Sequence, residues 1–336
     1  MKAAVIEEHG GPGSIRIDNN FPDPQPGAED VIVKVGATSL NYHDIFTRKG
    51  MPGIKVPMPC IMGLDFSGEI VEVGSDIKDW KAGDRVMIDP VDRVGPGGLI
   101  GEMWHGGLAE FCKVPAHHLV ALPDTISFDA ASCLPVAYGT ALRMMYTIGD
   151  VQAGDKVMIL GASGGVGTCA VQLAKRVGCE VIACASSQSK LDRLQAIGAD
   201  KLVNYIEEDF VKWVYGTYGK PHRRQFEKGL DVVVNFAGGD TWVKSLKVLH
   251  RGGKVLTCGA TAGYDPAEDL RFIWSYELKV LGANGWMRED LTTLLDLLSD
   301  GSLKPVIDKT LPLEEVNEAF RMLEDRVVFG KVVLTI

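Results

Sequence analysis

The stretch KVMILGASGGVGTCAVQLAKRVG, residues 156–178, constrains the fold more tightly than any other part of this 336-residue chain. An apolar run, VMIL, leads into Gly161, Ala162, Ser163, Gly164, Gly165, Val166 and Gly167, and the chain passes straight into an amphipathic helical pattern. Glycines permit a sharp turn and a close approach of the main chain to an anion, while the free amides and the dipole at the helix start face that anion. A glycine-rich turn alone joins many strands to helices, so its surroundings matter. Strand-like segments recur at KVMILGA, EVIACAS, KLVNY, LDVVVNFAG, KVLTCGA and LKVLGANG, with helical patterns such as SKLDRLQAIG between them. Such alternation predicts an α/β fold with a doubly wound parallel sheet. In that setting the turn predicts a dinucleotide site at Ser163, Gly164, Gly165, Val166 and Gly167.

The end of the second predicted strand selects the dinucleotide. An Asp or Glu there accepts the ribose 2′-hydroxyl of NAD and repels a 2′-phosphate. This chain reads VIACASSQSK, with Ser186 and Ser187 at the tip, no acid, and Lys190 just beyond. Hydroxyls and an ammonium suit a phosphate. NADPH is the expected cofactor.

A different texture precedes this region. DVIVKVGATSL, GEIVEVGSDI, DRVMI and AEFCKV are strand-like and separated by Gly, Pro and Asp. The final residues, LPLEEVNEAFRMLEDRV followed by GKVVLTI, add a helix and a strand after the parallel sheet. The length suits two domains. The expected division is a discontinuous β-rich domain, 1–123 with 301–336, around a nucleotide-binding domain, 124–300.

Charge and composition exclude several functions. Thirty-five basic against 44 acidic side chains give a formal charge of −9, which repels a nucleic-acid backbone. The opening MKAAVIEEHGG has too short an apolar run for a signal peptide, and no run approaches the roughly 18 apolar residues of a membrane span. A cytoplasmic protein acting on a small molecule is expected. Seven cysteines, an odd number without a CxxC pair, read as buried hydrophobes in a reducing compartment.

Taken together, GLDFSGEIVEVGSDIKDWKAGDRV, the glycine-rich segment continuing to KLVNY, and the closing GKVVLTI resemble the medium-chain dehydrogenase/reductase superfamily from end to end. The resemblance implies a GroES-like catalytic domain beside a Rossmann domain, and homodimers that pair the sixth sheet strand, near LKVLGANG. In the quinone-reductase branch, the residues matching Ser186, Lys190, Tyr205 and Arg326 surround the 2′-phosphate.

In zinc alcohol dehydrogenases of this superfamily the metal ligands are a Cys where this chain has Asn41, a His where GLD places Leu64, and a Cys aligned with Val136. Zinc requires three protein donors, and Leu64 and Val136 have none. The loop DPVDRVGPGGLIGEMWHGG also lacks the four cysteines of a structural zinc lobe. No metal is expected. Without a Lewis acid, hydride transfer favours acceptors that delocalise the incoming charge: quinones, 2-enals, enones or 2-enoyl thioesters. SLNYHDIFTRKG supplies the catalytic candidates: Asn41 as a neutral donor, Tyr42 as a phenol, and His43 as a proton source. Asp44 reads as structural, and a hydrogen-bonded strand end is the plain alternative for its neighbours. Two rival functions stay open, an alcohol dehydrogenase with a non-standard metal site and a non-catalytic, crystallin-like NADPH-binding protein.

Overall fold

The computed structural model describes residues 1–336, which gather into two compact units, Met1–Ala137 with Leu291–Ile336, and Tyr138–Asp290. The first unit begins with β1 (Ala3–Ile6), β2 (Arg16–Asp18) and β3 (Asp30–Ser39), then helix α1 (Tyr42–Lys49). It continues through β4 (Cys60–Ile61), β5 (Asp65–Val73), β6 (Arg85–Ile88), β7 (Phe111–Pro115), β8 (Leu119–Ala121) and helix α2 (Phe128–Ser132). β3 buries Val31, Ile32, Val33 and Val35 and leaves Lys34 exposed, as the apolar run DVIVKV requires.

α2 is capped by Ser127, whose hydroxyl accepts from the Ala130 amide at 3.2 Å. Two hydroxyls tie α2 to the strands beneath it: Ser39 Oγ donates to the Ser132 carbonyl and Ser67 Oγ to the Phe128 carbonyl, both at 2.7 Å. The compact unit therefore continues past residue 123, where the sequence texture changes.

Tyr138–Asp290 opens with α3 (Thr140–Leu142), a short α-helical link to the π-helical turn Arg143–Ile148. Strands and helices then alternate: β9 (Lys156–Ile159), α4 (Gly165–Val177), β10 (Glu180–Ala185), α5 (Gln188–Ala196), β11 (Lys201–Asn204) and α6 (Phe210–Tyr218). β12 (Leu230–Val234), α7 (Thr241–Val248), β13 (Leu249–Thr257), α8 (Leu270–Tyr276) and β14 (Lys279–Gly282) complete it. The six strands are parallel, in the order β11-β10-β9-β12-β13-β14, and coincide with the six segments expected from the sequence. Met158, Ile182, Val203, Val233 and Val255 form the centre of its core. The order reverses beside β9, the place where doubly wound sheets receive ligands.

The chain returns to the first unit near the start of α9 (Arg288–Ser299), and then adds β15 (Ile307–Pro312), α10 (Val316–Glu324) and β16 (Lys331–Thr335). β16 pairs antiparallel with β3, Val333 opposite Ser39, giving the sheet order β15-β16-β3-β5-β6-β8 with β7 also on β3. A smaller sheet, β2-β1-β4, lies in the same unit. α1 packs on α10: the fully buried Arg48 donates to Glu324 at 2.9 Å and lies over the Phe320 ring. Six of the seven cysteines are buried and Cys258 is half-buried. No helix is long and apolar enough to cross a membrane.

Candidate functional site

The glycine-rich turn has the geometry expected of an anion cradle. Gly161 has φ +69°, a conformation that favours glycine, and the Gly164 amide closes the turn on the Gly161 carbonyl at 3.1 Å. Gly164 is the N-cap of α4, so no side chain occupies the first-turn amides. A Cβ on Gly167 would lie 2.5 Å from the Gly161 carbonyl oxygen and 2.6 Å from Ala162 Cα, so only glycine lets α4 begin this close to β9. Beside a Cβ built on Gly164 there is only the Gly161 oxygen, at 3.7 Å, which leaves room for a ligand.

Ser186 and Tyr205 leave adjacent strands: Ala185 of β10 is paired with Asn204 of β11, and the Tyr205 amide donates to the Ala185 carbonyl at 3.2 Å. Lys190 stands in the first turn of α5, half-buried. The Ser187 hydroxyl caps α5 by accepting from the Lys190 amide, so it serves the helix. Arg326 belongs to the first unit, exposed beyond α10 with φ +56°. Ser186, Lys190 and Tyr205 thus share a unit that does not contain Arg326.

The NYHD segment differs from a strand end, because Asn41 is the N-cap of a helix. Asp44, three residues on, accepts from the Asn41 amide at 2.7 Å, the pairing of a capping box. Around that start lies a buried polar cluster. Asn41 Nδ2 donates to Asp65 Oδ2 at 2.8 Å, and Lys331 Nζ donates to Asn41 Oδ1 at 2.5 Å and to the Leu40 carbonyl at 2.9 Å. Lys331 Nζ stands 3.6 Å from Asp65 Oδ2, and the Val136 amide donates to Asp65 Oδ1 at 3.0 Å. All of these side chains are buried, Lys331 being 3% exposed and Asp44 and Asp65 0%.

Burial pushes the Asp65 carboxyl up to about 6 against the pull of the Lys331 ammonium and the Asn41 amide, with the Asp44 charge adding to the rise. Burial raises Asp44 as well, and its Oδ1 has no partner. Two carboxyls thus face one ammonium in a dry place, which favours retaining a proton.

His43 points elsewhere. Its Nε2 stands 2.6 Å from Glu102 Oε2, and Thr47 Oγ1 donates to the same oxygen at 3.3 Å. Burial disfavours the imidazolium, but the hydrogen bond to Glu102 and the Glu102 and Asp44 charges more than offset it, so the His43 pKa is raised. The Tyr42 ring is half-buried and packs edge-on against Phe46, 5.4 Å between centroids.

A zinc ion at the superfamily's ligand positions does not fit these residues. Leu64 has no donor, Val136 contributes a main-chain N–H, and the Asn41 oxygen already accepts from an ammonium. Away from this cluster, Asp92, His117 and His118 offer ligand atoms within 4.8 Å of one another. The Asp92 oxygens accept from the amides of Gly95, Val94 and Gly97, which hold its pKa at about 2 despite burial, and His118 Nδ1 is engaged by the Asp89 carbonyl at 2.7 Å, so these groups already have partners within the protein.

Sequence reasoning missed Lys331 and Glu102. The capping pattern N-x-x-D was the available signal for α1; neither of the other two residues had one.

Comparison with known proteins places both units. Residues 27–124 match the family described as alcohol dehydrogenase GroES-like domain, and 165–300 the family described as zinc-binding dehydrogenase. An NADPH-dependent alkenal/one oxidoreductase of Arabidopsis thaliana is 32% identical over 99% of this chain and 79% of its own length. An acryloyl-coenzyme A reductase of Sulfurisphaera tokodaii is 30% identical over 99% of each. A solved structure of an NAD-dependent alcohol dehydrogenase is 34% identical, with a TM-score of 0.92 over 100% of each chain.

Proposed function

The chain belongs to the medium-chain dehydrogenase/reductase superfamily, in its quinone- and enoyl-reductase-like branch, and on that footing we propose that it reduces quinones or activated alkenes with NADPH and without zinc. The carrying observation is the Asn41–Asp65–Lys331 cluster, in which Asn41, at one metal-ligand position, is engaged by a carboxylate and an ammonium, while the other two positions hold the donorless side chains of Leu64 and Val136. An alcohol cannot be deprotonated there by a Lewis acid. A 2-enal, enone, enoyl thioester or quinone needs none, since its conjugated oxygen takes up the charge of the incoming hydride.

NADPH, when bound, supplies that hydride. The turn Ser163–Gly167 binds the pyrophosphate through main-chain amides at the start of α4. Ser186, Lys190 and Tyr205 bind the 2′-phosphate, Lys190 giving the cationic contact and no acid opposing it. This reading sides with the NADPH-dependent relative over the NAD-dependent one, on the residues at the end of β10. Reduction of an alkene then requires one proton. His43 delivers it; Asn41, with one Nδ2 hydrogen committed to Asp65 and one remaining, orients the substrate oxygen, and Tyr42 contributes its phenol. The parallel sheet ends in β14, whose Val280 is 42% exposed, and a homodimer that pairs two such edges would cover it.

Steady-state oxidation of NADPH in the presence of quinones, 2-enals and enoyl thioesters tests the reading. Turnover with at least one class is expected. Silence across all three, or stoichiometric zinc in dialysed protein together with alcohol oxidation, overturns it.

A further inference from the structure

We propose that Glu102 is a positioning residue that holds His43 by its Nε2 and so presents Nδ1 to the substrate as the proton-donating atom. The inference rests on the reductase reading above and adds a residue to it. The loop that carries Glu102 is fixed by its glycines. Gly101 has φ +83°, and a Cβ there would lie 2.8 Å from Gly63 carbon and oxygen; one on Gly106 would lie 2.3 Å from the Gly63 oxygen. Main-chain bonds complete the seat: the amides of Gly106, Gly107 and Leu108 donate to the carbonyls of Ile61, Gly63 and Met62 at 2.7, 2.9 and 3.0 Å. Glu102 is consequently 4% exposed and held against α1.

A carboxylate so placed keeps the proton of neutral His43 on Nε2. Nδ1 has no hydrogen-bond partner in the protein, and the His43 side chain is 27% exposed. After hydride arrives at the β-carbon, the Nδ1–H bond breaks and a C–H bond forms at the α-carbon. The imidazolium becomes the neutral Nε2–H tautomer, still bonded to Glu102, and water returns a proton to Nδ1. The charged or titratable groups facing the pair are Asp44 on the same helix and the Cys60 thiol, which the Glu102 charge and its own burial hold up at about 12.

Glu102→Gln keeps shape and hydrogen bonding and removes the charge. Histidine NMR, with the His43 signal assigned through His43→Gln, is expected to show the His43 midpoint moving down by about one pH unit or more. The alkaline limb of kcat with a 2-enal should move down with it, and kcat at pH 7.5 should fall roughly 10-fold or more while the KM for NADPH stays put. The double variant Glu102→Gln/His43→Gln should lose no more than His43→Gln alone, because the two act as one unit. An unmoved midpoint overturns the pairing. A moved midpoint with an unmoved kcat limb, in an active enzyme, overturns the role in turnover while leaving the reductase reading intact. A wild-type enzyme silent on every acceptor defeats the reductase reading and the role in turnover together, whereas the NMR midpoint separately decides the pairing.

Discussion

Replacing Lys331 by Met removes the one cation of the buried cluster and keeps most of the side-chain volume. Three acceptors lose their donor or counter-charge: the Leu40 carbonyl, Asn41 Oδ1 and, at 3.6 Å, the Asp65 carboxylate. Breaking a buried pair from one side costs about 3–5 kcal/mol, because a charge is left uncompensated. The penalty has a pH signature. Asp65 has a folded pKa of about 6 against 3.8 for the unconstrained group, so the folded state binds its proton more tightly than the unfolded state. That contribution is fully present below pH 3.8 and is lost as pH rises through 6, a decline of about 3 kcal/mol at 1.36 kcal/mol per pH unit. Removing the ammonium raises the folded pKa further and extends the decline to higher pH. Lys331→Met should therefore lie several kcal/mol below wild type at pH 8 and less far below it near pH 5, where Asp65 is protonated but the Leu40 carbonyl and Asn41 Oδ1 still lack their donor. Two compact units need not unfold together, so native-state hydrogen exchange of the β3 and β16 amides is the suitable assay. Adding Asp65→Asn should recover part of the loss, since the stranded charge goes with it. A loss equal at pH 5 and pH 8, or a double variant less stable than Lys331→Met, refutes the reasoning.

Further outcomes concern the nucleotide and the assembly. Gly167→Ala forces a methyl into Gly161 and Ala162, and should weaken NADPH binding by about tenfold or more, as followed by cofactor fluorescence, with an overpacking loss of about 1–3 kcal/mol. Lys190→Ala should weaken NADPH by roughly 10–100-fold, the worth of a charged hydrogen bond, and leave NADH unchanged; equal loss for both cofactors contradicts the phosphate role. Val280→Pro removes an edge donor from β14 and should shift a dimer to monomer by size-exclusion chromatography.

What the sequence disclosed follows from how each element buries itself. The six parallel strands are short apolar runs ending in glycine or polar turns, so they were readable one by one. α1 was not, because YHDIFTRK buries Asp44 and Arg48 along with Ile45 and Thr47, and a helix that hides its charges has no amphipathic stripe to detect. Lys331 opens the terminal strand and passes for a solvated end; its partners Leu40 and Asn41 lie some 290 residues away and meet it only through the β3–β16 pairing. Glu102 sits in a glycine-rich loop whose path depends on contacts with Gly63, which periodicity does not encode. The residue types at Asn41, Leu64 and Val136 were legible in the sequence, while the Lys331 ammonium beside Asn41 needed the third dimension.

An enzyme that works on activated alkenes is bathed in soft electrophiles, and the thiolate is the group they alkylate first. Here Cys60, Cys112, Cys133, Cys184 and Cys258 are held at about 12 by burial and Cys179 at about 11, and burial raises Cys169 well above the ordinary thiol value too. At neutral pH a thiol held at about 12 is ionised about once in 10⁵ molecules and one at about 11 about once in 10⁴, and none of the seven is exposed. The catalyst is thereby armoured against its own reactants, and prolonged incubation with an enal should leave its cysteines unmodified for as long as the chain stays folded.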